Sequence, residues 1–315
     1  SFSSGAGKER SMDLTIRELR QRLRLADMNT RLMVFTVLIS LFVWLLHAFL
    51  SLLGADPYIV ERWLWLAPDL YTFSRHPWTL FTYIWLHSDL WHLFFNMLWL
   101  YWFGQLFLRY QNPRRLVSVY LLGGLAGGLL YVLAVLLADA FSLGLSHFPL
   151  IGASASVMAI VFGVAFYARW ERVNLLFIGR IKLTTLALIL FVLDVLLLTG
   201  DNFGGHVAHI GGAAFGVWFA LSLARGKDIT VWFQRLLDRM TDFFSSLSGR
   251  RKVCSKPRFR VRRTNNPAAK KNGTDPKTRE TKTSIDEILD KIRISGYASL
   301  TAEEKRRLFD QSKRL

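Results

Sequence analysis

Ile151-Gly152-Ala153-Ser154-Ala155-Ser156 places a serine at the start of an apolar segment that continues to Ala168. Alone, the stretch says little, because glycine, alanine and serine are the residues that closely packed membrane helices use anyway. Two other polar constellations set in apolar surroundings change its meaning. They are His87-Ser88-Asp89-Leu90-Trp91-His92-Leu93-Phe94-Phe95-Asn96 and Gly205-His206-Val207-Ala208-His209-Ile210-Gly211-Gly212. What joins the three is a shared depth in a bilayer, and that depth follows from how the whole chain is composed.

The chain of 315 residues is 52% hydrophobic and yet carries a net charge of +17. Both hold because the two kinds of residue are segregated: apolar residues fill positions 31 to 224, and Lys and Arg crowd the two ends. This is the pattern of a multispanning membrane protein with charged flanks, whose first partner is the lipid bilayer. The basic balance is thereby accounted for, and no nucleic-acid partner is expected. The single cysteine, Cys254, lies in the basic tail and allows no intrachain disulfide. The first apolar run is too long for a signal-peptide core and follows a polar segment, so no cleavable signal is expected.

The expected fold is an all-α membrane protein with six transmembrane helices and a cytoplasmic helical tail. Residues 1–30 form a cytoplasmic amino-terminal segment in which Met12 to Ala26 reads as a basic amphipathic helix. The membrane domain, residues 31–225, holds apolar segments at about Leu32 to Leu53, Leu90 to Leu108, Leu116 to Ala138, Gly152 to Ala168, Leu183 to Thr199 and Val207 to Ala224. The aromatic connection Gly54 to Trp85 suits a half-immersed interfacial loop. Residues 226–283 are a basic segment, amphipathic from Ile229 to Phe244 and then linker-like. In residues 284–315 the capping boxes Ser284–Glu287 and Thr301–Glu304 predict a small helical hairpin, for which no partner is readable. Arg109, Arg114, Arg115, Arg169, Arg172, Arg180, Lys182, Arg225 and Lys227 occupy alternate connections, which places both termini in the cytoplasm. The membrane is then a bacterial-type cell inner membrane, crossed several times.

With that topology the second, fourth and sixth segments all begin at the outer, periplasmic face. His92 and Asn96, Ser154, and His209 therefore share one layer just below the outer surface. His92 and Asn96 are four residues apart and lie on one helix face. Ala155, Ala159 and Gly163 form a ridge of small residues on the fourth segment, and Gly212 with Gly216 forms one on the sixth, so the two backbones can approach. A serine hydroxyl needs a base within hydrogen-bond reach, and imidazole titrates in the right range. A developing oxyanion needs donors, which the helix start at Ser154, the Asn96 amide and His92 can offer.

The order and spacing of His87, His92 and Asn96, of Gly152 and Ser154, and of Ala208 to Gly216 resemble the rhomboid family of intramembrane serine proteases, over about residues 30 to 225. The resemblance implies a rhomboid-like six-helix bundle with a Ser154–His209 dyad and an oxyanion site made by His92, Asn96 and the Ser154 amide. It implies single-pass transmembrane proteins as substrates, cut in or near the membrane, with no cofactor. Phe95 and Phe191 would stand at a gate between the second and fifth helices, and Gly200 to Gly205 would cap the site. Three positions depart from the family pattern: Ala155 where glycine is common, Met158 where an aromatic often stacks on the histidine, and Thr79 where arginine often follows tryptophan.

Other readings of the same residues carry weight. Ser156 is the rival nucleophile, two residues on and on another helix face. Asp194 is an intramembrane carboxylate that could orient His209, although snorkelling or helix pairing is the commoner role. The histidines could be metal ligands or serve a transporter, but with no carboxylate partner beside them no metal site is expected. A non-catalytic rhomboid-like protein that binds transmembrane helices is the alternative from a different class.

Overall fold

The computed structural model describes residues 26–142, 148–175, 179–196, 203–247, 288 and 300–312. Residues 12–25 of the expected amphipathic helix, the Ser284–Glu287 box and Cys254 lie outside them. The chain divides into two compact units, residues 1–252 and 253–315.

In the first unit, helix α1 (Met28–Leu52) starts where the Asp27 carboxylate accepts the Thr30 N–H. The aromatic connection is folded, with short helices α2 (Leu70–Arg75) and α3 (Thr79–Thr82) between two 3₁₀ turns. Helix α4 (Leu90–Tyr110) is capped by Asp89, and α5 (Pro113–Ala140) by Asn112 with proline in its first turn. Helix α6 (Ser154–Tyr167) is followed by an antiparallel hairpin of β1 (Arg172–Leu175) and β2 (Gly179–Lys182). Helices α7 (Leu183–Leu196), α8 (Phe203–Ala224) and α9 (Val231–Leu247) complete the unit. The hairpin adds two four-residue strands to a mostly helical chain: Val173 and Ile181, flanked by arginine and lysine, follow a strand pattern.

Among the described residues three helices, α1, α5 and α8, are long and apolar enough to cross a bilayer. Helices α6 and α7 are shorter. Fourteen residues at about 1.5 Å each make α6 roughly 21 Å long, against about 30 Å of hydrocarbon. Ten of its fourteen residues are buried, which makes α6 the central helix, packed by α4, α5, α7 and α8.

Backbone approach is what seats α6. A methyl group built on Gly212 would run into the Ala155 carbonyl oxygen, and one on Gly216 into that of Ala159 and, at 2.9 Å, the Gly163 nitrogen. The two small-residue ridges thus interlock as their spacing implied. A third ridge of small residues, Gly123-Gly124-Leu125-Ala126-Gly127-Gly128, lies on α5. A methyl on Gly127 would lie 2.6 Å from the Ala155 side chain, so α5 makes room for the alanine that replaces the family's glycine.

The aromatic connection is anchored without an arginine at position 79. Thr79 is buried and donates to the His76 carbonyl at 2.6 Å, the Trp78 indole donates to the Trp63 carbonyl at 2.8 Å, and the two tryptophan rings stack. Leu66, fully buried, bridges to Leu150 just ahead of α6. In the second unit, α10 (Ala302–Ser312) starts in a formed capping box: Thr301 N–H donates to Glu304 at 2.7 Å, and Glu304 N–H returns to the Thr301 hydroxyl at 3.3 Å.

Candidate active site

A cavity of about 790 Å³ lies between α4, α6, α7 and the start of α8, and Ser154, His209, His92, Asn96, Asp194 and His206 all line it. Ser88 and Asp89 also reach it, and the rest of its wall is mostly apolar and aromatic, including Trp91, Phe95 and Trp99 from α4, Val157 and Met158 from α6, and Leu190 and Leu193 from α7.

Ser154 is the first residue of α6, and the residue before it, Ala153, has no side-chain oxygen to cap the helix. The first N–H groups of any helix lack an intrahelical partner. Aspartate or asparagine takes up such groups at α1, α4 and α5, whereas at α6 no side chain caps them. Gly152 turns the chain into this start with φ +119, a conformation that side chains disfavour. A methyl there would also fall 2.7 Å from His92 Nε2, so the position needs glycine twice over. Its own N–H is spent on the Tyr83 carbonyl at 3.0 Å.

His92 and Asn96 face the cavity one turn apart. Asn96 is buried, and its amide nitrogen donates one hydrogen to the His92 carbonyl at 2.9 Å, which leaves the second for the cavity. His92 Nδ1 lies 3.0 Å from the Ser88 hydroxyl, which itself donates to Asp89 at 2.7 Å. Ser88 has one proton, so with Asp89 taking it the imidazole must be the donor at Nδ1. A neutral His92 then has no hydrogen on Nε2 and donates into the cavity only as an imidazolium. His87 is not at the cavity. It is buried and tied to α1 by Ser40 at 3.0 Å, while its carbonyl accepts the Trp44 indole at 2.8 Å.

Helix α8 begins at Phe203, four residues earlier than its apolar pattern suggested, so of the expected cap Phe203 to Gly205 are helical and line the cavity, while residues 200–202 lie outside the described residues. Gly204 and Gly205 argue against helix by propensity. Packing wins, because a methyl on Gly204 would meet the Tyr131 ring at 2.5 Å. The early start places His206 and His209 on consecutive turns facing α7. There Asp194 accepts from His209 Nδ1, with Oδ1 at 2.8 Å and Oδ2 at 2.9 Å, and lies 3.1 Å from His206 Nδ1. Snorkelling, the commoner role, is therefore not what Asp194 does. The ground for expecting no metal also changes, since Asp194 is the missing carboxylate: one ligand atom each from Asp194, His206 and His209 lie within 4.8 Å of one another.

Ser154 and His209 share the cavity wall without a hydrogen bond between them; among the described residues neither the serine hydroxyl nor His209 Nε2 has a partner. Phe95 lines the cavity and packs on Trp91 and Phe94. Phe191 does not join it at a gate; it packs edge-on against Phe162 of α6, with ring centroids 5.6 Å apart. Leu190 and Leu193 hold the α7 wall instead. Ser156 is fully buried, away from the cavity, with its hydroxyl unpartnered.

The helices and the cavity define a helical membrane protein with a serine, three histidines and the Asp194 carboxylate gathered at one end of its central helix. Residues 74–226 match the family model of the rhomboid domain. The chain is 32% identical over 166 residues to Inactive RHOMBOID-like protein 8 of Arabidopsis thaliana, covering 51% of this chain and 42% of that protein. It is 34% identical over 146 residues to RHOMBOID-like protein 12, mitochondrial, of the same plant, covering 43% of each. The chain thus carries a rhomboid domain over residues 74–226. It spans less than half the length of either relative. Residues 275–314 match a second model, a family of unknown function, DUF6576.

Proposed function

We propose that the chain is an intramembrane serine endopeptidase that cuts single-pass membrane proteins in or near their transmembrane segment. The observation that carries the reading is one cavity wall presenting Ser154, with a free hydroxyl at an uncapped helix start, and His209, with Nδ1 committed and Nε2 open. In this reading α1 and α4 to α8 cross a bacterial-type inner membrane, both termini are cytoplasmic, and the cavity faces the outer side. The alternation of Arg and Lys between connections supports that orientation. The length of α6 supports a site recessed below the surface yet reachable by water.

The chemistry follows from the open atoms. Substrate enters along the apolar wall of α4 and α7, unwound near the cut because a helical carbonyl is hydrogen-bonded and shielded. His209 Nε2 takes the Ser154 proton as Oγ bonds to the carbonyl carbon. The oxyanion is held by the N–H groups at the start of α6 and the second Asn96 hydrogen, and by His92 when charged. His209 returns the proton to the leaving amine as the C–N bond breaks. Water, deprotonated by the same nitrogen, then cleaves the acyl ester and restores Ser154. A resting serine and histidine not yet in hydrogen-bond contact is ordinary, because such contacts tighten when substrate binds.

A reporter carrying one transmembrane helix, incubated with the full chain in liposomes, tests this. Ser154→Ala and His209→Ala each abolish cleavage, and Ser156→Ala retains it; normal cleavage by Ser154→Ala would sink the assignment. A second reading, a non-catalytic binder of transmembrane helices, draws on the word inactive in one relative's name and on the open Ser154–His209 geometry. A fluorophosphonate probe separates the two, since a binder gives no adduct that depends on Ser154.

A further inference from the structure

We infer that Asp194 is the positioning residue of the Ser154–His209 pair, and that His206 shares its carboxylate to hold it in place. The inference rests on the proteolytic reading above. A carboxylate at 2.8 Å and 2.9 Å from one ring nitrogen has no proton to give, so His209 Nδ1 must be the donor. The hydrogen of the neutral ring is thereby fixed on Nδ1, and the lone pair falls on Nε2, the atom that faces no other partner and that a base needs. The assignment is one of tautomer and of direction, and both follow from where the carboxylate stands.

The same contact acts again after proton transfer. Once His209 has taken the serine proton it is an imidazolium, and it then forms an ion pair with Asp194 over an existing hydrogen bond. Both side chains are 15% exposed, so water screens the attraction little. His206, 8% exposed and one helical turn before His209, donates from its own Nδ1 to Asp194 Oδ1 at 3.1 Å. That second donor stops the carboxylate from rotating away and satisfies an oxygen that would otherwise be buried and half-used. Asp194 comes from α7 and both histidines from α8, so neither backbone alone sets the distance. A helix tie with no role in the reaction would need only one of these bonds. A resident metal would require the same Nδ1 atoms stripped of their hydrogens.

The test uses full-length protein in detergent with the transmembrane reporter, a fluorophosphonate probe, and proton NMR of the imidazole N–H groups. In the otherwise wild-type protein a strongly downfield Nδ1–H resonance is expected, lost in His209→Gln and retained in Ser154→Ala; its absence overturns the inference whether or not any variant folds. Asp194→Asn, of the same size, should lower kcat by about 100-fold or more while KM moves less than about threefold, by analogy with carboxylate-to-amide changes in serine triads. Asp194→Glu should recover part of that loss, and chelator should leave the rate unchanged. If Asp194→Asn labels and cleaves at the normal rate while Ser154→Ala does neither, the positioning role falls and the serine reading stands. If the protein forms no Ser154-dependent adduct at all, the serine reading falls and takes this with it. If chelator abolishes cleavage and zinc restores it, the cluster is a metal site and the positioning role is overturned.

Discussion

Two carboxylates of this molecule are almost equally shielded and meet different kinds of partner. Asp194 and Asp228 have side chains 15% and 11% exposed. Asp228, between α8 and α9, receives Arg115 Nε at 2.8 Å, the Thr230 N–H at 2.9 Å, the Thr230 hydroxyl at 2.6 Å and Gln234 at 3.3 Å. Gly226, at φ +76, turns the chain into that arrangement. Burial pushes the Asp228 carboxyl up, but the Thr230 and Arg115 hydrogen bonds outweigh it and hold the group below the ordinary carboxylate range. None of its partners changes protonation near neutrality. Among the described residues Asp194 is met by two imidazoles, side chains that can both give and take a proton. The cluster between α8 and α9 is a lock; the one in the cavity is a lock whose partners can also move a proton.

The hardest blow to that contrast is His209→Ala. Reporter cleavage should fall about 10³-fold or more, to the level of Ser154→Ala, and the double variant should be no worse because the two groups act as one unit. An additive double variant would show that they do not. Next in size is Gly212→Val, which changes no polar group. Its side chain meets the Ala155 backbone, so α6 and α8 must separate, at a cost of about 3 kcal/mol. Thermal melting in detergent should record the loss, and cleavage should fall with it because Ser154 and His209 ride on those two helices. Unchanged melting would mean that the ridges do not seat the site.

What the sequence made legible here was the part written in periodicity and in residue size. The apolar segments, the facing ridges of α6 and α8, and the gathering of Ser154, His209, His92 and Asn96 are legible in spacing and segment order. What it hid was the part written in tertiary packing. The start of α8 was misplaced because Gly204 lowers helix propensity, and only the Tyr131 ring explains why glycine is there. The place of Asp194 is hidden because a carboxylate in an apolar helix more often snorkels or pairs helices, and nothing within α7 announces a histidine pair on α8. Phe191 was drawn to a gate by analogy, but a residue one position from Leu190 faces another side of the helix. The glycines of α5 are visible in the sequence; their role needs the knowledge that α6 lies between α5 and α8.

On the side of Asp228, Arg115→Ala is expected to cost about 1 to 3 kcal/mol in stability and to leave cleavage by the folded protein close to normal. The pH dependence gives the sign. Because the folded carboxyl of Asp228 is held below its unfolded value, its contribution is present above the ordinary carboxylate range and is lost as pH falls through the lowered value. Arg115→Ala removes one cause of the lowering, so melting temperature should fall less steeply on acidification than in the unmodified protein. A parallel pair of curves would show that Thr230 alone sets the effect.

The smallest expected change is also the one that separates the two serines. Ser156 sits two residues from Ser154 on the same helix, but its hydroxyl is buried, unpartnered and close enough to Gly124 that a methyl there would lie 2.5 Å away. Burying a hydroxyl without a partner costs about 1 to 3 kcal/mol, while removing one oxygen leaves a void too small to cost as much. Ser156→Ala should therefore shift stability by less than about 1 kcal/mol, toward greater stability, and leave both cleavage and probe labelling intact. A serine that packs can be replaced by its own outline, and a serine that reacts cannot. If Ser156→Ala silenced the reporter without lowering the melting temperature, the nucleophile would be Ser156, and the open hydroxyl at the start of α6 would need another purpose.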